Sequence, residues 1–322
     1  MSDPDRPAAA DGGTDAEESV DVEDPADGDG PTAGATGAAE EAGGGTDPAA
    51  GTADSATEEA ARETPPSLSL QVDGLEKYFG GLAAVDGASF VVEEGSLTGL
   101  IGPNGAGKST TFNCITGVHE PDGGTVVFEG QDITGFRPHE VANRGLVRTF
   151  QIARELEEMT LLENLMLAPR GQVGEKLTSA VMPGLRGRVR EQEADMVDRV
   201  WETLELFEID HLAEEHAGNL SGGQRKLLEL ARALMLEPSM MLLDEPFAGV
   251  NPSLEEKLLD RIHQLKDEQG LTFLIVEHDM DLIMKHCEHV IVMHQGTVLA
   301  EGPPAEIREN ERVIDAYLGD EV

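Results

Sequence analysis

The sequence predicts an α/β fold: a parallel sheet with helices packed on it, joined to antiparallel strands and to a helical segment. Three observations predict it. Short, nearly all-apolar runs read as buried parallel strands: SLTGLIG (96–102), MMLL (240–243), TFLIVEH (272–278) and HVIVMHQ (289–295). The later ones alternate with helices from about Pro252 and Asp279, the strand, helix, strand rhythm of a covered parallel sheet. Before them, LSLQVDGLEKYF (68–79) alternates as a half-buried strand does, and the texture from about Pro138 to Ala217 is helical.

In chain order, residues 1–67 come first and hold almost no Leu, Ile, Phe, Tyr or Trp. Such a stretch cannot bury enough surface to offset its ordering entropy, so a disordered acidic tail is expected. It carries 18 acids against Arg6 and Arg62, a charge of −16 within the −40 of the 322-residue chain, leaving −24 for the other 255 residues. That excess argues against free nucleic acid as a partner, since phosphate binding needs a basic footprint. With Lys scarce and acids spread over tail and domain alike, it points to a high-salt cytoplasm, where screening shortens the range of self-repulsion. Simple solubility is the plainer reading. Cys114 and Cys287 are isolated, fit no metal spacing, and read as buried small hydrophobes in a reducing compartment. The start, MSDPDRPAAADGG, has neither the basic opening nor the apolar run of a signal peptide, and no stretch approaches the roughly 20 apolar residues of a membrane span.

From residue 68 the first strand is followed by SFVVEEG (89–95) and SLTGLIG as further strands, then by a helix through about Thr116. PDGG (121–124) is a turn leading into TVVFEGQDI, so this part mixes antiparallel hairpins with one buried strand. In the helical stretch, PRGQVGEKLTSAVMPGLRGRVR (169–190) reads as a Gly-rich loop between helices. EADMVDRVWETLELFEI after it places apolar residues at 196, 197, 200, 201, 204 and 207, an amphipathic helix.

GPNGAGKST (102–110), comprising Gly102, Pro103, Asn104, Gly105, Ala106, Gly107, Lys108, Ser109 and Thr110, stands between a buried strand and a helix. Its glycines let backbone N–H groups wrap a phosphate, Lys108 reaches the terminal phosphates, and the Ser109 hydroxyl can ligate Mg2+. MMLLDEP (240–246) ends a buried strand with Asp244, where an open α/β sheet places its ligands and a carboxylate can hold the Mg2+ shell. Glu245 beyond it can orient and polarise an attacking water. His278 ends TFLIVEH and can reach the γ-phosphate or the water, although a lone His at a strand end is usually a surface residue. Gln151 in RTFQ proves little alone. GNLSGGQRK (218–226) is a second Gly-rich helix start, far along the chain from the first.

Phosphate loop, RTFQ, LSGGQ, LLDEP and VEHD, in this order and at these spacings, resemble the nucleotide-binding domain of ABC ATPases over residues 68 to about 300. The resemblance implies a P-loop NTPase (RecA-like) core with an antiparallel β subdomain and an α-helical ABC subdomain at about 151–221, the whole domain spanning 68–322. In that family two domains pair head to tail, and the LSGGQ of one closes over the ATP on the phosphate loop of the other. Two loops in one chain would then serve two ATP molecules, with Ser221, Gly222, Gly223 and Gln224 facing the partner's nucleotide. The same resemblance assigns Phe79, or else Tyr78, to stacking on adenine. It makes Gln151 a sensor of Mg2+ and of the membrane partner, Asp244 the metal-shell carboxylate, Glu245 the catalytic base and His278 the γ-phosphate switch. Lys108 joins these two in the catalytic set.

VRTFQIARELEEMTLLENLMLA, DEPFAGVNP, VEHDMDLIM and the ending AYLG are similar to the ATP-binding subunits of branched-chain amino-acid importers, LivG-type. This implies an ATPase, bound peripherally at the cytoplasmic face of the membrane. Its implied partners are a second ATPase subunit (homo- or heterodimer), two transmembrane permeases and an extracellular solute-binding protein. Subunits for lipopolysaccharide export share the motifs too, but that role requires an outer membrane, against which the acidic, high-salt character of the chain argues; subunits for urea uptake share them and remain an alternative. So do a soluble translation or repair ATPase, which usually carries two nucleotide domains or long coiled coils, and a non-enzymatic binding module, against which Glu245 and His278 both stand.

Overall fold

The computed structural model describes residues 67–149, 156–169 and 186–319. The expected tail and most of the Gly-rich stretch lie outside them.

Two sheets carry the molecule. In the first, β1 (Leu68–Phe79), β2 (Leu82–Glu93), β4 (Gly123–Phe128) and β5 (Gln131–Asp132) pair antiparallel in the order β2-β1-β4-β5. From Leu70 to Asp73, β1 alternates, Leu70 and Val72 buried and Gln71 and Asp73 exposed, as a one-faced sheet requires. Strand β2 begins at Leu82, seven residues before the SFVVEEG run, because the Gly80–Gly81 turn folds it back on β1 at once. The two glycines of PDGG that were read as turn already belong to β4.

The second sheet has the order β10-β9-β3-β8-β7-β6: β3 (Leu97–Ile101), β6 (Leu146–Arg148), β7 (Met240–Asp244), β8 (Thr272–Val276), β9 (His289–His294) and β10 (Thr297–Gly302). All neighbours are parallel except β9 and β10. All five residues of β3 and of β8 are buried. The alternating residues feed two cores. Leu97, Met241, Leu243, Phe273 and Ile275 face one with the helical segment, while Leu100, Met240, Leu242, Leu274 and Val276 face another with α1 (Lys108–Ile115) and the antiparallel sheet. Burial on both faces is why these strands read as unbroken apolar runs.

Two strands depart from the sequence reading. The stretch from Pro138 is not uniformly helical, since α2 (Pro138–Ala142) is followed at once by β6, which pairs in register with β7. Strand β10 turns back on β9 through Gln295 (φ 48°) and Gly296 (φ 81°), the positive-φ pair of a tight hairpin.

Helix α3 (Leu161–Met166) starts with a capping box, Thr160 with Glu163. Helix α4 (Arg186–Leu206) begins seven residues before EADMV, so part of the stretch read as loop is helical. Met196, Val200 and Leu204 are buried on one stripe, and Trp201 stands 39% exposed. Then come α5 (Gly222–Leu234), α6 (Pro252–Gln269) and α7 (Met280–His286). The chain closes with α8 (Pro304–Glu309) and α9 (Glu311–Gly319). Cys114 and Cys287 are free and buried as expected.

Candidate active site

The phosphate loop joins β3 to α1 in a backbone path only glycine follows. Gly102 and Gly107 have φ of 152° and 101°; a Cβ there would lie 2.1 Å from the Met293 carbonyl and 2.5 Å from the Ala84 carbonyl. The loop is gripped from two sides. The Gly296 N–H donates to the Ala106 carbonyl (3.0 Å), and the Asp86 N–H donates to the Gly296 carbonyl (2.8 Å). Lys108 is 6% exposed, and its ammonium donates to the Gly102 and Pro103 carbonyls at 2.7 and 3.1 Å. Burial pulls its pKa down, and the carboxylates of Glu245 and Asp244 pull it back up. Asn104, Gly105 and Ser109 are exposed, Ser109 at the start of α1 where the helix N–H groups are free.

Ser109, Asn113, Arg148, Asp244 and Glu245 line one cleft of about 470 Å3. The sheet order accounts for this: β8 lies between β3 and β7, and Leu100 and Asp244 both pair with Val276, so their ends are level. Asp244 Oδ2 accepts from Arg148 Nη2 at 2.6 Å, and Arg148 Nη1 donates to Asn113 Oδ1 at 2.6 Å. Arg148 thus ties the ends of β6 and β7 to α1. The residues beyond Thr149 include Gln151, which lies outside the described residues.

Glu245 has φ 49°, a left-handed conformation uncommon for a glutamate, and begins the turn after β7. Its Oε1 meets His278 Nε2 at 2.6 Å, with the side chains 42% and 49% exposed. The two therefore form a contact pair open to solvent. Glu277, passed over in the sequence, is 5% exposed and accepts from the Phe247 and His278 N–H groups at 3.0 and 3.2 Å. Burial raises its pKa, against the lowering effect of those two bonds. A carboxylate directly after the apolar run TFLIV was the available signal for it; Arg148 had its place at the head of RTFQ, and Asn113 had none.

Phe79, at the hairpin end of β1, is 46% exposed, its ring T-shaped to that of His119 (centroids 5.4 Å apart) with the Lys77 ammonium 5.7 Å from its centroid. Ser221 and Gln224 cap α5 reciprocally: the Ser221 hydroxyl accepts from the Gln224 N–H (3.3 Å) and Gln224 Oε1 from the Ser221 N–H (2.9 Å). A Cβ at Gly223 would lie 2.0 Å from Leu254 Cδ2, so a larger residue there would have to displace the Leu254 side chain on α6. Ser221 and Gly222 are exposed, and no hydrogen bond among the described residues joins this loop to the phosphate loop. Sequence and structure agree that the two Gly-rich starts are separate.

The donor set suits a nucleoside triphosphate with a hard cation. Backbone N–H groups and a buried ammonium face the anion, and hydroxyl and carboxylate oxygens from Ser109 and Asp244 are of the kind Mg2+ prefers. Residues 85–248 match the family model "ABC transporter", and 297–322 match "Branched-chain amino acid ATP-binding cassette transporter". A probable branched-chain amino acid transport ATP-binding protein LivG of Archaeoglobus fulgidus is 46% identical over 250 residues, 78% of this chain and 95% of its own length. The high-affinity branched-chain amino acid transport ATP-binding protein BraF of Pseudomonas aeruginosa is 42% identical over 251 residues, 78% and 98% of the two chains. The solved ADP conformation of an ATP-binding cassette of an ABC transporter superposes with a TM-score of 0.68 at 39% identity, covering 78% of this chain and 99% of that one. With the phosphate loop, the Asp244–Glu245 strand end and the capped LSGGQ helix in place, the chain belongs to the ABC transporter ATP-binding proteins, in their branched-chain amino-acid (LivG/BraF) branch.

Proposed function

We propose that this chain hydrolyses ATP at the cytoplasmic face of the membrane to drive a branched-chain amino-acid importer. The observation that carries this is the single cleft joining the phosphate-loop end of α1 to Asp244 and Glu245, with His278 on Glu245. In this reading residues 102–110 hold the triphosphate. Lys108 turns its ammonium from the loop carbonyls to the β- and γ-phosphates, and Phe79 stacks on adenine. Ser109, Asp244 and Gln151 would hold Mg2+, which would neutralise phosphate charge there. Glu245 takes the proton of the attacking water as its oxygen bonds to the γ-phosphorus and the bond to the β–γ bridging oxygen breaks, releasing ADP; His278 holds Glu245 in place and contacts the γ-phosphate.

Ser221 and Gly222 stand exposed, and Gly223 half-buried, at a helix N-terminus with no hydrogen bond among the described residues to the phosphate loop of their own chain. They serve the ATP of a second ATPase subunit, a related chain rather than a second copy. Closure of that pair moves two permease subunits docked on the helical segment, fed by an extracellular solute-binding protein. No helix of the described residues is long and apolar enough to cross a membrane; in this reading the permeases supply the membrane attachment.

Purification of the tagged chain from gently solubilised native membranes, with its companions identified by mass spectrometry, tests the proposal. Two multispanning permeases, a second ATPase and an amino-acid-binding lipoprotein are expected. Recovery only in the soluble fraction, with ribosomes or repair proteins, would overturn it.

A further inference from the structure

We infer that Glu277 is a positioning residue that sets the Glu245–His278 pair through the backbone of both. The inference rests on the roles proposed above for those two residues and adds a third that touches neither water nor nucleotide.

Glu277 directly follows β8 and is buried where the preceding run is apolar. Burying a carboxylate is unfavourable unless its oxygens are bonded, and here both are. Oε1 accepts the N–H of Phe247, two residues beyond Glu245, and Oε2 accepts the N–H of His278 itself. Neither bond belongs to a helix or a ladder. The turn they hold needs holding, because Glu245 sits at φ 49°, which persists only where surrounding contacts enforce it.

Those contacts come from three consecutive residues. The Val276 carbonyl accepts the Glu245 N–H (2.9 Å), Glu277 anchors Phe247, and His278 meets the Glu245 carboxylate at 2.6 Å. Within the turn, the Ala248 N–H closes on the Glu245 carbonyl at 3.2 Å. One carboxylate therefore fixes the far side of the turn bearing the base and the strand end bearing its histidine. A short side-chain contact leaves little tolerance to movement of either backbone.

Glu277→Gln keeps the size and one acceptor but points an NH2 at one of the two N–H donors. The expected result is a fall in kcat of about tenfold to a hundredfold, the scale of a misplacement near 1 Å, with KM for ATP and fluorescent-nucleotide affinity within about twofold. Hydrogen exchange at the Phe247 and His278 amides, slow in the wild-type protein, should quicken in the variant. Unchanged kcat in a folded variant would overturn the inference. So would parallel loss of kcat, nucleotide affinity and melting temperature, which marks a plain core acceptor. Should the variant not fold, fast exchange at those two amides in the wild type would overturn it equally well, and slow exchange would support it. Glu245→Gln, assayed beside it, separates the layers: if that variant turns over normally, the catalytic assignment has failed, whatever Glu277 does.

Discussion

Replacing Glu245 by Gln removes a base and leaves shape intact, so the structure can apportion its cost. For stability, the lost interaction is the Glu245–His278 contact, whose side chains are 42% and 49% exposed. Pairs this open to solvent contribute about 0–1 kcal/mol, and in a domain of this size 1 kcal/mol moves Tm by roughly 2–4 °C. Gln tolerates the φ of 49° about as well as Glu, so the turn should stay put. For turnover, a positioned general base contributes typically about 10²- to 10⁴-fold, equivalent to roughly 3–5 kcal/mol of barrier. The variant should melt within about 4 °C of wild type, bind ATP and accumulate as an ATP-bound dimer with its partner ATPase, yet release phosphate at least about a hundredfold more slowly. Paired melting curves, nucleotide titration and a phosphate-release assay measure this. Turnover within tenfold of wild type would refute the assignment of Glu245; a collapse of Tm would refute the claim that its pairing is peripheral to folding.

Gly107→Ala places a Cβ 2.5 Å from the Ala84 carbonyl at a φ of 101°; nucleotide titration should show affinity reduced at least tenfold, on the order of 1–2 kcal/mol of backbone strain. Burial pushes the Cys114 thiol up to about 11 and the Cys287 thiol to about 12, from 9.0. Because the folded values are the higher ones, this stability is complete below about pH 8.5 and is lost as pH rises through 11, about 2 kcal/mol per thiol by pH 10.5. Denaturant unfolding of wild type and of a Cys114→Ala, Cys287→Ala variant at pH 8 and 10.5 should show the flatter pH response in the variant. Deleting residues 2–66 should leave ATPase activity in high salt near normal, since a stretch without apolar anchors does not hold a core together; a large loss measured by phosphate release would count against it.

Strands buried on both faces were legible because burial forces apolar residues at every position, as in β3, β7 and β8. The phosphate loop was legible because Gly102 and Gly107 sit at positive φ against backbone carbonyls, which no other residue tolerates, and LSGGQ because its Ser and Gln form a capping box. Strand β6 was not. Its three residues complete no period, and they become a strand only by pairing with β7, far along the chain. Strand β10 left a faint mark in Gln295–Gly296, which is informative only once the preceding strand is given its true end. Arg148, at the head of RTFQ, and Glu277, a carboxylate after an apolar run, leave a mark in sequence but not their partners: each matters because elements distant in sequence end side by side.

The grip on the phosphate loop has a consequence for how the protein is made. The loop's own residues leave the ribosome early, but Gly296, whose N–H caps the Ala106 carbonyl, follows Gly107 by about 190 residues. At about 5–20 residues per second that is on the order of 10–40 s of synthesis during which the loop lacks one of its two walls. A product truncated before the last hairpin lacks the Gly296 N–H, so the Ala106 carbonyl stays uncapped and that side of the loop unheld.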